Sequence, residues 1–352
     1  MTRSIRVAVN GYGVIGKRVA DAVRAQSDMT LIGVSDVATD WRTRVLQTKG
    51  VPLFAATAPA EDAFRAAGVQ TAGRLDDLLG EADVVVDCTP KRVAADNVPQ
   101  YRKRQLKFIL QGGEKHGITG HSFVAEANFE TAIGRESTRV VSCNTTATVR
   151  TLSALKRAGL LGRARGTLLR RATDPWESHQ GGIMNTLVPE PEIPSHQGPD
   201  ARTVDPDLDV VTMAVKVPET IAHLHYWSVQ LTRPVDKEEV LNAFRSSSRI
   251  LLMKTEHGLD ALNAVKELMA DRGRSRSDLY EVALWADMLT VQGDELFYAY
   301  MVDNQAIVVP ETIDAIRALD GRETSGRRSI AATDSAMGIE GRLFAEAGAR
   351  TP

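Results

Sequence analysis

Residues 5–26 read IRVAVNGYGVIGKRVADAVRAQ, and this stretch decides the fold. A run of β-branched and small residues enters Gly11-Tyr12-Gly13-Val14-Ile15-Gly16, and an amphipathic helical pattern follows at once. The turn matches G-x-G-x-x-G. Between a strand and a helix, Gly11 permits the tight turn, Gly13 lets backbone approach a pyrophosphate, and Gly16 allows close packing of helix on strand. The helix start then offers unpaired N–H groups and positive potential to phosphates. A triplet of this kind is common, so its surroundings carry the argument. A second strand pattern, MTLIGVSD (29–36), ends in an acidic residue. Asp36 falls roughly twenty residues beyond the turn, where a carboxylate accepts hydrogen bonds from ribose hydroxyls and repels a 2′-phosphate. The plainer reading of Asp36 is a strand-end turn residue.

Working outward, EADVVVDCTP (81–90) and LKFILQGGEK (106–115) are short apolar runs ending in polar or small residues. They read as buried parallel strands, with Asp87, Thr89, Gly112 and Gly113 at the edge where ligands of doubly wound sheets bind. Cys88 ends one of these runs and reads as structural. The second half changes character. A helix is expected over 146–159 (TATVRTLSALKRAG). Alternating strands follow in ARGTLLRRA (164–172), DVVTMAVKV (209–217), AHLHYWSVQL (222–231) and ELFYAYMV (295–302). The expected class is α/β: a Rossmann-type doubly wound parallel sheet, plus a mixed α/β domain whose sheet is largely antiparallel. Expected boundaries are 1–141 for the nucleotide domain and 142–304 for the catalytic domain. A helical segment, 305–352, is expected to return to the first domain. Residues 174–200, rich in Pro, Gly and polar side chains, read as a long functional loop.

The remaining bulk properties exclude more than they assign. The chain has 352 residues, 43% hydrophobic and 25% charged, and a formal net charge of −2, so charge gives no reason to expect nucleic acid. No apolar run approaches the roughly 20 residues of a membrane span. Two cysteines and a start, MTRSIRVAVNG, that enters a strand pattern directly point to a cytoplasmic protein.

Residues 139–150, RVVSCNTTATVR, place one of the two cysteines in a polar run before the helix. Cys143 is either a small buried hydrophobe or a nucleophile. His223 and His225 lie two apart on a strand and share a face, so one is a candidate base and the other structural. They lack a third clustered ligand, and no metal is expected. Arg170 and Arg171 are adjacent on a strand, and one of them is suited to an anionic substrate. His196 in PSHQG supplies a further donor to that anion.

Taken together, NGYGVIGKRVADAV, DCTP, FILQGGEKH, VVSCNTTATVRTL, LLRRATDP, LVPEPEIPSHQGPD, DVVTMAVKVPETIAHLH and IVVPETIDAIRA resemble the archaeal-type (class II) glyceraldehyde-3-phosphate dehydrogenases. The resemblance implies reversible oxidation of glyceraldehyde 3-phosphate with inorganic phosphate and NAD(P), in glycolysis or gluconeogenesis, by a homotetramer. It makes Cys143 the nucleophile and His223 the base. It puts Ser142 and Asn144 beside the reacting carbonyl and Gln197 with Gly198 at further substrate positions; Thr145, Arg170 and His196 are the remaining substrate-binding candidates. Val14, Ile15, Gly113 and Arg171 fall on the family's nucleotide-contacting positions, beside the motif glycines Gly11, Gly13 and Gly16. Two departures stand out. Asp36 replaces a lysine frequent in relatives, which favours NAD over NADP. Asp303-Asn304 replaces His-Gln, with Asn304 kept as a cofactor contact. Other readings of the same plan are a semialdehyde or other aldehyde dehydrogenase, and a catalytically idle nucleotide-binding regulator.

Overall fold

The computed structural model describes residues 3–111, 113–181 and 184–344. Gly112, expected at a strand end, lies outside the described residues. The chain forms two compact units: Met1–Ser142 with Val308–Met337, and Cys143–Ile307 with the described residues from Gly338 onward.

The first unit is built on eight strands: β1 (Ile5–Asn10), β2 (Met29–Asp36), β3 (Leu53–Ala55), β4 (Gly73–Arg74), β5 (Val84–Asp87), β6 (Lys107–Leu110), β7 (Ser122–Phe123) and β8 (Ser137–Val140). Their order is β4-β3-β2-β1-β5-β6-β8-β7, and every neighbouring pair is parallel. Strand order reverses beside β1, which places the ligand crevice at the carboxyl ends of β1 and β5. The three valines of β5 are buried, as expected of a strand covered on both faces. Helix α1 (Val14–Ala25) opens directly out of the glycine turn. Helix α2 (Trp41–Thr48) follows β2.

Two glycines of the turn are required by contact. Gly11 has φ +93°, and a Cβ on it would stand 2.9 Å from the Cys88 carbonyl carbon. A Cβ on Gly16 would stand 1.8 Å from the Gly11 carbonyl oxygen.

Four of the strands of the second unit are long: β9 (Leu161–Arg171), β11 (Asp209–Val217), β12 (His223–Leu231) and β16 (Glu295–Val302), with the shorter β14 (Val282–Trp285) beside them. The full order is β10-β11-β9-β12-β16-β14-β13, where β10 is Val188–Pro189 and β13 is Ile250–Met253; β15 (Thr290–Gln292) pairs with β16. Among the described residues only β9–β11 and β13–β14 are parallel in this sheet. The sheet is therefore mixed and largely antiparallel. The α/β class expected from the sequence is the class observed. Helix α3 (Cys143–Arg157) packs on this sheet and is buried from Asn144 through Leu155. Its start, three residues before the sequence pattern suggested, sets a Cys-Asn-Thr-Thr run into the first turn. Burial overrides the poor helix propensity of those residues. The fully buried Arg150 of α3 donates to the carbonyls of Tyr280 at 2.7 Å and Ile307 at 3.0 Å, so its charge is met by backbone oxygen.

After Ile307 the chain returns to the first unit as α5 (Val308–Asp320) and α6 (Gly326–Met337), α4 being Gln197–Arg202 of the second. Arg317 of α5 is 4% exposed and grips both carboxylate oxygens of Asp28, at 2.7 and 2.8 Å, and the Gln26 side-chain oxygen at 2.7 Å. That clamp holds the returning helix to the turn between α1 and β2. No helix among the described residues is long and apolar enough to cross a membrane.

The glycine contacts generate a paired prediction. Gly16→Ala should cost about 1–3 kcal/mol, because its methyl meets backbone that cannot yield. Gly80→Ala, in the helix Leu75–Glu81 with nothing within 4 Å of the added methyl, should gain about 0.4–1 kcal/mol. Urea unfolding of the two variants checks both signs; a Gly16 variant as stable as the parent would refute the close-packing role.

Candidate active site

The nucleotide side is assembled within the first unit. Gly13 is the N-cap of α1 and provides no side-chain cap, so the first N–H groups of the helix are left to a ligand. Val14 and Ile15 are half-buried, and Gly113 is exposed just past β6. A dinucleotide pyrophosphate fits this cradle, since nothing but the Arg42 guanidinium, 3.8 Å away, comes near the position of a Gly13 Cβ. Asp36, 9% exposed, turns toward the loop backbone: Oδ2 accepts from the Tyr12 N–H at 2.6 Å, and Oδ1 from Val37 and Ala38 at 2.7 and 2.8 Å. A carboxylate offers about four acceptor directions. Three are taken, so Asp36 has room for one ribose hydroxyl rather than a bidentate grip on both.

Two residues first grouped with the ligand edge are structural. Asp87 is fully buried and accepts from the Thr89 N–H and hydroxyl, the Asn97 amide and the Tyr101 hydroxyl. Thr89 is thereby turned onto Asp87. Cys88 lies beneath the glycine turn, and burial together with neighbouring Asp87 pushes its thiol well above the ordinary range.

The reactive cluster lies in the second unit. Cys143 is the first residue of α3, where the helix dipole favours a thiolate. Its Sγ is 3.5 Å from Nε2 of His223, at the start of β12. The other ring nitrogen, Nδ1, accepts the backbone N–H of Arg171 at 3.0 Å. Burial, then His225 and the two arginines, holds the His223 ring well below its ordinary pKa, so the ring is neutral. A neutral imidazole carries one proton; with Nδ1 accepting, that proton sits on Nε2 and points at the sulfur. Burial pushes the Cys143 thiol up to about 11, against the pull of Arg171, the Asn144 backbone N–H and Arg170.

His225, fully buried, belongs to a different chain of contacts. Trp227 Nε1–H donates to the Tyr300 hydroxyl at 2.9 Å, which meets His225 Nδ1 at 3.0 Å, and His225 Nε2 meets Asn144 Oδ1 at 2.8 Å. Read in one direction, Tyr300 donates to Nδ1 and Nε2–H donates to Asn144. The Asn144 amide is thereby oriented with its NH2 as the group for a ligand. Burial holds His225 down to about 3, so it does not charge and break the chain near neutral pH.

The adjacent arginines part company. Arg171 donates to Asp174 at 2.6 Å. Arg170 is bonded to Glu190, whose other oxygen lies 3.4 Å from Nδ1 of the exposed His196. Glu190 thus occupies the two groups expected to hold an anion. Gln197 is fully buried with neither amide atom partnered, and the Nε atoms of Arg170 and Arg171 and the Oδ1 of Asn304 are likewise buried without partners. Unpartnered buried polar atoms are costly and call for a ligand, a water or another partner. Thr145 and Gly198 are otherwise employed: Thr145 donates to Asp200 at 3.0 Å, and the Gly198 N–H to Thr212 at 2.9 Å. Ser142, half-buried, closes the first unit immediately before Cys143 in the chain. Glu190, Asp174, Tyr300 and Trp227 were not singled out from sequence; for Tyr300 and Trp227 the signal was present, since hydroxyl and indole N–H groups on buried strand faces need partners.

Residues 142–286 match the family model described as glyceraldehyde 3-phosphate dehydrogenase, C-terminal domain. Residues 5–145 match the model described as dihydrodipicolinate reductase, N-terminus. A curated glyceraldehyde-3-phosphate dehydrogenase of Methanobrevibacter smithii is 44% identical over 335 residues, covering 95% of this chain and 99% of its own. Those of Metallosphaera sedula and Halobacterium salinarum are 45% and 43% identical, each over 336 residues, with 95% of this chain and 98% and 100% of theirs covered. The chain belongs to the archaeal-type glyceraldehyde-3-phosphate dehydrogenase family. Membership makes it an NAD(P)-dependent oxidoreductase. In this glyceraldehyde-3-phosphate dehydrogenase family member the cysteine and histidine that the resemblance names lie 3.5 Å apart.

The state of Cys143 is testable. With the thiol neutral near pH 7, its rate of alkylation by iodoacetamide should rise about tenfold per pH unit, with no plateau near neutrality. Cys88, its thiol pushed well above the ordinary range by burial and Asp87 and placed beneath the glycine turn, should react far more slowly. A plateau between pH 6 and 7 would mean an imidazolium–thiolate pair and would refute the tautomer assigned to His223.

Proposed function

We propose that the chain is a phosphorylating glyceraldehyde-3-phosphate dehydrogenase that forms a thioester on Cys143. The single observation that carries this reading is the 3.5 Å contact between Cys143 Sγ and His223 Nε2 at the head of a buried helix. The minor thiolate fraction of Cys143, its proton released to solvent, adds to the aldehyde carbon, and the carbonyl oxygen takes the negative charge of the resulting hemithioacetal. The Nε2–H of His223 and the amide of Asn144 donate to that oxygen. A bound nicotinamide supplies the acceptor for the hydride. Loss of hydride from the alkoxide carbon leaves the thioester, and a phosphate oxygen then attacks it, with sulfur leaving as thiolate. In this tautomer His223 is a fixed donor, because Nε2 already holds a proton; the base role expected from sequence requires that proton to move first.

Arg170 and His196 hold the substrate's phosphate, which displaces Glu190 from them. Gln197 is a further substrate contact and Asn304 a contact to the cofactor amide, the unpartnered buried atoms of both supporting this. Asp36 favours NAD over NADP, since a 2′-phosphate dianion beside a partly desolvated carboxylate is disfavoured by a few kcal/mol. The two free cysteines fit a cytoplasmic setting. A homotetramer is supported by the outer face of the second sheet, where Met213, Tyr226, Met288 and Phe297 are exposed side by side around one depression. Its occupant is a second copy of this chain.

Two measurements bear on this. Steady-state assays with glyceraldehyde 3-phosphate, phosphate and either cofactor should give turnover, with NAD favoured at least about tenfold in kcat/KM. Cys143→Ser should lose at least about a thousandfold in turnover, and His223→Ala about a hundredfold or more in single-turnover hydride transfer. His225→Ala should act through KM and stability; a larger chemical defect there than at His223 would reverse the assignment. Separately, Tyr226→Glu with Phe297→Glu should lower the mass seen by sedimentation, and an unchanged assembly would remove that face as the interface.

A further inference from the structure

Between β2 and α2 the chain carries Asp36, Asp40, Trp41 and Arg42, and the pairing of these charges bears on the adenosine end of the cofactor. The Arg42 guanidinium lies against the phosphate turn, with Nη1 3.8 Å from the position of a Gly13 Cβ. A cation so placed is what recognition of a 2′-phosphate calls for. Arg42, however, is tied to Asp40. Its Nε donates to both carboxylate oxygens at 3.0 Å, and its Nη2 donates to Oδ2 at 2.6 Å. The Arg42 backbone N–H donates to the same carboxylate at 2.9 Å, making Asp40 the N-cap of α2. The guanidinium side chain is only 18% exposed. These Arg42 bonds hold the Asp40 carboxyl below the usual carboxylate range, so the pair is ionised and nearly neutral in sum. Lys17 of α1, the other nearby cation, lies over the Trp41 ring at 5.1 Å.

We propose that Asp40 is a specificity-determining residue, which withholds Arg42 from a 2′-phosphate and leaves Asp36 to decide the cofactor. The proposal rests on the NAD preference put forward above. Opposite charges locked in one fork present little net potential a few ångströms away, whereas the guanidinium alone attracts a dianion there. Asp40 is suited to a clean test, because asparagine caps a helix as well as aspartate does.

Isothermal calorimetry of the full-length protein with NAD and with NADP reads the ratio of the two Kd values. Asp40→Asn should improve the ratio in favour of NADP by about tenfold, with the NAD constant reporting that the turn still folds. Arg42→Ala alone should move the ratio less than about twofold, since its charge is already spent. Arg42→Ala added to Asp40→Asn should abolish the gain. An unchanged ratio in Asp40→Asn overturns the proposal, and so does a selective loss of NADP affinity in Arg42→Ala alone. Equal affinities in the parent protein would instead refute the NAD preference, a result separate from the change produced by Asp40→Asn.

Discussion

The hydrogen bond from the Arg171 backbone to Nδ1 of His223 is the constraint on which the reactive cluster depends. It is made between the end of β9 and the start of β12, two strands whose antiparallel register runs from Leu161 to Leu169 against Leu231 to Leu224. That register fixes which nitrogen faces sulfur and which proton it holds. The ring's charge state follows from burial, and the sulfur's from the balance between burial and two arginines. The contact of sulfur with imidazole is thus set by a backbone N–H on the opposite side of the ring.

The same economy governs Asn144. Its amide orientation is the last step of a chain that begins at the Trp227 indole and passes through Tyr300 and His225, all buried. Trp227 can only donate, and Tyr300 and His225 each accept on one side and donate on the other, so the chain has a direction. Such networks rigidify when complete and are costly when broken. Around Arg170 and His196 the opposite holds. Glu190 and a set of unpartnered buried atoms leave that region's polar demands unmet without a ligand.

Much of the fold was legible because its signals are local. The glycine turn is dictated by φ and by contacts a few residues away, and buried parallel strands declare themselves as valine runs. The doubly wound sheet could be read from these alone. Cys143 and His223 are a different matter: eighty residues apart in sequence, they were joined by resemblance and not by pattern. The direction of the Asp36 carboxylate was illegible, because it depends on a choice between ribose and the turn's own N–H groups. So was the capture of Arg170 and His196 by Glu190, which depends on the path of a proline-rich loop. The start of α3 was misjudged by three residues because propensity, the only guide in sequence, yields to burial.

The first unit is discontinuous, completed by Val308–Met337 after the whole second unit has been made. On the ribosome, its parallel sheet must wait for α5 to emerge, on the order of ten seconds or more at ordinary elongation rates. Through that interval the apolar strand faces that α5 will cover, and the Asp28 carboxylate that Arg317 will claim, stand open to solvent and to other nascent chains. The nucleotide-binding half is therefore the part of this molecule most exposed to chaperones and to misassembly during its synthesis, although it is the half translated first.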